Sequence, residues 1–175
     1  MHEGAYKFVA RAVTQLEPRK QVLELGSRTV AGPWPYSSSI RPLFPGSEYV
    51  GVDIAPGENV DFLGDAATWR PEPFRQFDTV VCTETLEHTP EAERICHNAW
   101  SLLQPGGVFL LTAAGVGRAP HSAVDGRGLR PGEYYRNVNR EQLRQWLAPF
   151  GFAMIDTTTT PGDIYALAVK LGPGT

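Results

Sequence analysis

VLELGS (residues 22–27) and FDTVVCTETLEH (residues 77–88) are short apolar runs that each end in glycine or in polar residues. Runs of this length without polar alternation read as strands buried on both faces, the pattern of a parallel sheet covered by helices. Working outward, YVGVD (residues 49–53) is a second such strand, and Val60 to Leu63 is a short third one before Gly64, Asp65 and Ala66. Apolar residues at helical spacing predict a helix over 3–16, stopped by Pro18, and another over 91–103 with Ile95, Ala99, Leu102 and Leu103 inward. Pro105, Gly106 and Gly107 predict a tight turn before a strand from Val108 to Ala113. Arg140 to Leu147 reads as a helix with Asn139 as its N-cap. Phe152 to Thr159 and Tyr165 to Val169 read as two strands joined through Pro161 and Gly162. Residues 27–47 hold Pro33, Pro35, Pro42 and Pro45, which leave room for at most a short helix around Ser39 to Leu43. Alternating strands and helices imply an α/β fold: an open, mostly parallel sheet of about seven strands, helices on both faces, and one antiparallel strand near the C-terminus.

The bulk numbers agree with that class. The chain has 175 residues, 42% hydrophobic and 20% charged, and no linker or internal repeat divides it, so residues 1–175 are expected to form a single domain. A net charge of -3 disfavours nucleic acid as a partner. Cys82 and Cys96 belong to no metal-spaced cluster and read as buried free thiols, which fits a reducing cytoplasm. No apolar leader opens the chain and no run is long enough to span a membrane, so a cytoplasmic location without membrane partners is expected.

Ligands of open α/β sheets bind at the carboxyl ends of the strands. Four predicted strand ends carry suitable residues. Gly26 lets the backbone approach a ligand closely, beside Glu24 and Ser27. Asp53 is placed to accept hydrogen bonds from ribose hydroxyls. Asp65 follows the short third strand, and Thr83 and Glu84 precede Glu87 and His88.

Taken together, VLELGS (22–27), YVGVDIAPG (49–57), GDAA (64–67), FDTVVCTETLEH (77–88), LLQPGGVFLLT (102–112) and YYRNVNREQLRQWLAPFGF (134–152) resemble the class I S-adenosylmethionine-dependent methyltransferases, small single-domain members of the type 11 kind. The resemblance spans nearly the whole chain and implies a Rossmann-like fold, S-adenosylmethionine as cofactor and S-adenosylhomocysteine as product. By the same resemblance Glu24 and Gly26 sit beside the methionine end and Asp53 holds the ribose, with Ile54 against the adenine. Asp65 and Ala66 meet the adenine amino group, and Thr83 and Glu84 line the floor near the sulfonium. Two further glycines usual in the family's first loop are replaced here by Arg28 and Val30. Either Ser27 and Gly32 take their place or the cofactor is held weakly.

The acceptor is expected to meet residues 114–139, a stretch rich in Gly, Pro and Arg with no helical or strand period. Six arginines between Arg118 and Arg144 outnumber Asp125, Glu133 and Glu141, which favours a small, anionic acceptor under a loop that acts as a lid. Tyr134, Tyr135 and Arg136 are the substrate candidates. A hydroxyl or amine acceptor needs a base, for which His88, His121 and Glu84 are the candidates in that order. No metal constellation is visible in the spacing. A homodimer suits a small domain with open sheet edges. The competing class is a catalytically silent member of the fold that binds cofactor or a partner.

Overall fold

The structure, a computed structural model, describes residues 1–17, 19–30 and 39–172, and only the backbone of residues 154–156. Pro18, Val30's neighbours up to Ser38 (Gly32, Pro33, Trp34 and Pro35 among them) and the last three residues lie outside the described residues.

Three α-helices and seven strands follow in the order α1 (Glu3–Gln15), β1 (Gln21–Leu25), β2 (Glu48–Asp53), β3 (Phe62–Leu63), β4 (Phe77–Thr83), α2 (Ala92–Leu102), β5 (Leu103–Ala114), α3 (Arg140–Leu147), β6 (Phe152–Thr160) and β7 (Asp163–Lys170). The sheet order is β3-β2-β1-β4-β5-β7-β6. Strands β3, β2, β1, β4 and β5 pair in parallel, whereas β7 runs antiparallel to both β5 and β6. This is the expected mostly parallel sheet with one reversed strand.

Alternate residues of each central strand feed opposite faces, as the two-residue period requires. Leu23, Val80, Cys82, Phe109 and Leu111 pack under α2 and α3. Val22, Val81, Val108 and Leu110 pack against Val9 and Ala12 of α1 and against Ile40 and Phe44, which flank a 3-10 turn at Arg41–Leu43. That turn is all the helical structure between β1 and β2 among the described residues. Cys82 and Cys96 are free and buried, and burial holds the Cys82 thiol well above its ordinary range and pushes Cys96 up to about 12.

Two boundaries differ from expectation. β5 begins at Leu103, not Val108, because Leu103 already pairs with Phe77 while Val108 pairs with Thr79. Pro105, Gly106 and Gly107 therefore bow out as a bulge within the strand, with Gly106 at φ +76. β3 shrinks to Phe62–Leu63, because Val60 donates its N–H back to Gly57 O in a turn and the Asp61 side chain accepts from Gly51 N. At α3 the expected cap is present, with Asn139 accepting from Gln142 N at 2.8 Å. Among the described residues no helix is long and apolar enough to cross a membrane.

Residues 115–139 are not structureless. A parallel bridge joins Gly115 to Val138 and an antiparallel one joins His121 to Gly128. The Ser122 hydroxyl donates to Glu133, and Arg130 pairs with Asp125. Gly115 sits where β5 meets the start of β7, and a Cβ there would lie 2.7 Å from the Asp163 carbonyl carbon. Gly115→Ala is expected to lower the unfolding free energy by about 1–3 kcal/mol through overpacking, measured by urea denaturation with an unchanged slope.

Candidate active site

β1 and β4 are neighbours, but the chain leaves them toward opposite faces, so their carboxyl ends border a crevice. The crevice opens into a cavity of about 780 Å³. Of the residues singled out in the sequence, Glu24, Gly26, Ser27, Asp53, Ile54, Asp65, Ala66, Thr83, Glu84, His88 and His121 line it. Tyr134, Tyr135 and Arg136 do not. Tyr134 and Arg136 point outward, and Arg136 meets the site only through its backbone N–H, which donates to Glu87 O at 2.8 Å. The loop segment that does line the cavity is Arg118–Gly128, with Arg127 at its exposed rim. The expected arginine excess is partly spent internally: Arg118 pairs with Asp163, and Arg130 with Asp125.

On one side of the cavity, Asp53 is braced by backbone. Its Oδ2 accepts from Arg28 N at 3.0 Å and its Oδ1 from Ala55 N at 3.0 Å. Each oxygen keeps a lone pair for a further donor. Ile54 beside it is 77% exposed, an apolar side chain offered to the cavity rather than to the core. Asp65 turns the chain after β3 by accepting from Ala67 N at 2.8 Å.

Beneath, Glu24 is buried and held by Tyr49 Oη and Asn59 Nδ2, each donating to its Oε2 at 2.8 Å. Burial pushes its carboxyl up to about 7, against the opposing pull of those two hydrogen bonds. Glu84 has a left-handed backbone, φ +51, fixed by its N–H to Thr112 O and by Thr112 Oγ1 donating to its Oε1 at 2.9 Å.

The far side is a cluster. His88, His121 and Tyr135 stand edge to face, with ring centroids 4.9, 5.5 and 5.0 Å apart. Glu87 lies behind them, fully buried, with Oε1 accepting from Ala114 N. Burial, reinforced by the charge of Glu84, pushes Glu87 up to about 8. Burial and then His121 push His88 down to about 4, so its ring is neutral at pH 7. His121 Nδ1 lies 3.1 Å from Ala119 O, a carbonyl that can only accept, so Nδ1 carries a proton there. Glu87 Oε2, His88 Nδ1 and Tyr135 Oη are buried without a partner. The sequence spacing held no metal constellation, yet the fold makes one: ligand atoms of Glu87, His88 and His121 lie within 4.8 Å of one another. Two imidazoles and a carboxylate suit a first-row divalent cation, which would displace the Glu87 proton. The spacing concealed this because His121 arrives from a distant loop.

Three polar cavity residues were given no role in the sequence reading. Thr85 packs on Gly26 and donates to Thr83 O. His2 caps α1 by accepting from Gly4 N, and its Nε2 lies 3.4 Å from Glu84 and 3.2 Å from Asp163. Arg28 is the third, singled out in the sequence only as standing where a glycine is usual in the family.

A family model described as a methyltransferase domain matches residues 1–157. The ubiquinone biosynthesis O-methyltransferase of Xanthomonas euvesicatoria pv. vesicatoria is 31% identical over 138 residues, 65% of this chain and 56% of that protein. Its counterpart in Coxiella burnetii is 26% identical over 96 residues, 48% of this chain and 39% of that protein. The chain thus spans between 39% and 56% of the length of these relatives. In fold it is similar to an S-adenosylmethionine-dependent methyltransferase from Clostridium acetobutylicum, with a TM-score of 0.69, 13% identity, and 98% of this chain and 93% of that one covered. It is similar also to the 1,6-didemethyltoxoflavin-N1-methyltransferase of Burkholderia thailandensis, solved with 1,6-didemethyltoxoflavin and S-adenosylhomocysteine bound, at a TM-score of 0.66, 18% identity, and 97% and 78% coverage.

Because the folded-state carboxyl of Glu24 is raised to about 7, it holds its proton where an unfolded glutamate has lost it. Its contribution to stability is full below the unfolded value of 4.5 and is lost as pH rises toward about 7. Glu24→Gln is therefore expected to flatten the fall of the urea midpoint between pH 4.5 and pH 7; an identical slope in the variant would contradict this.

Proposed function

The chain belongs to the methyltransferase-domain family, and from that premise we propose that it transfers a methyl group from S-adenosylmethionine to a hydroxyl oxygen of a small acceptor. The observation that carries the reading is the pairing, across one cavity, of the braced Asp53 carboxylate with a neutral, buried-edge imidazole at His88. Oxygen as the methylated atom draws support from the names of the curated relatives.

The residues present fit the cofactor. Asp53 has two lone pairs for the ribose hydroxyls, and Ile54 offers an apolar surface for the adenine. Asp65 and Ala66 border the same end, while Glu24, Gly26, Ser27 and Thr83 border the other. When bound, S-adenosylmethionine supplies a methyl carbon already activated on a sulfonium and departs as S-adenosylhomocysteine. The protein's part is to align and to manage one proton. Glu84, locked by Thr112, presents a fixed carboxylate at the floor. His88 is neutral and so can receive the acceptor's hydroxyl proton; His121 faces it at 4.9 Å between ring centroids. Segment Arg118–Gly128 covers the acceptor side, and Arg127 at the rim suits an anionic substituent.

Calorimetric titration with S-adenosylhomocysteine is expected to show micromolar binding that weakens about 10- to 100-fold in Asp53→Ala, the loss of hydrogen bonds to a charged acceptor. Absence of binding to the unaltered protein at millimolar ligand would overturn the reading. With a panel of simple phenols and catechols and a tritiated methyl donor, His88→Gln is expected to retain S-adenosylhomocysteine binding and to lose about 10²- to 10⁴-fold in kcat.

A further inference from the structure

Arg28 spans the cavity between two functions. Its backbone N–H donates to Asp53 Oδ2 at 3.0 Å, so its root is fixed on the carboxylate assigned to the ribose. Its Nη2 donates to Ala123 O at 3.0 Å, in the middle of the segment that covers the acceptor side. Its Nε is buried with no hydrogen-bond partner and stands 3.9 Å from Asp53 Oδ1. That separation is too long for a hydrogen bond, and an orphaned guanidinium N–H calls for an explanation. Gly57 makes room for the arm: a Cβ there would lie 2.8 Å from Arg28 Cγ.

At 3.9 Å apart, Asp53 Oδ1 and Arg28 Nε are within the span that one bridging hydroxyl covers, donating to the first and accepting from the second. We propose that Arg28 is a second contact to the cofactor's ribose and a positioning residue that ties ribose occupancy to the acceptor loop; the proposal rests on the cofactor reading above. Binding satisfies Nε, holds the guanidinium flat against Asp53, and so secures Nη2 on Ala123. Ala123 moves with its neighbours. Ser122 donates to Glu133, and Val124 N and Gly126 N donate back to Ser122. His121, which faces His88, lies in this same unit. Cofactor binding through Arg28 therefore sets the loop that places His121 and Arg127, and the acceptor enters a site already shaped.

The loop carries its own reporter, because trypsin cuts after the exposed Arg127, which precedes Gly128, whereas Arg130 precedes Pro131 and is not cut. Cleavage after Arg127, mapped by mass spectrometry, is compared with and without saturating S-adenosylhomocysteine or 5′-methylthioadenosine, which keeps the ribose and lacks the amino acid. In the unaltered protein both ligands are expected to slow cleavage at least tenfold. Arg28→Ala is expected to weaken both ligands roughly tenfold and to abolish protection even at saturation. Arg28→Lys, which keeps the charge but cannot place two donors, is expected to melt normally and still lose protection. Ligand affinity and loop protection that survive in Arg28→Lys and Arg28→Ala would overturn the proposal and reduce Arg28 to a structural ion pair. Failure of the unaltered protein to bind either ligand would instead overturn the cofactor reading beneath it.

Discussion

Strand β1 is hydrogen-bonded on both edges, to β2 and to β4, and everything functional hangs on that placement. With both edges paired and both faces covered, its residues must be apolar except where the strand ends. Its one acid, Glu24, is tolerated because Tyr49 and Asn59 donate to it and because burial keeps it protonated over much of the neutral range. The loops after β1 and β4 part at this strand, and the crevice between them is the only place where the carboxyl ends of β1, β2 and β4 face a shared space among the described residues.

Burial also decides the charge of the site. Glu87 is raised to about 8 and His88 lowered to about 4 by the same cause acting on opposite kinds of group. The result is that the Glu87 carboxyl and the His88 ring, side by side on one wall, both favour their neutral forms at neutral pH.

The sheet and the strand-end residues that border the cavity were legible in the sequence, and the inward side of the loop after β5 was not. FDTVVCT gave β4 to the residue, because a strand buried on both faces is a contiguous apolar run. Asp53 and Asp65 were legible because a strand end followed by a turn is a local pattern. Asp163 and the contact of Arg28 were not, because their meaning comes from contacts across 79 and 95 positions: Asp163 with Glu84 through His2, and Arg28 with Ala123. Tyr134 and Arg136 were misplaced for a related reason. An aperiodic loop does not reveal which of its sides faces inward, and here the bridge between Gly115 and Val138 turns them out.

The strand made last is not the strand at the edge. β7 lies between β5 and β6, so β6 has no partner until β7 exists. A ribosome that has released the chain only as far as Thr160 therefore holds a sheet with β5 uncovered and β6 adrift, and an uncovered strand invites pairing with other chains. Asp163, the first residue of β7, closes that gap and in the same act brings its carboxylate to Arg118 and His2. Completion of the sheet and completion of the cavity wall are thus one event in the life of the nascent chain.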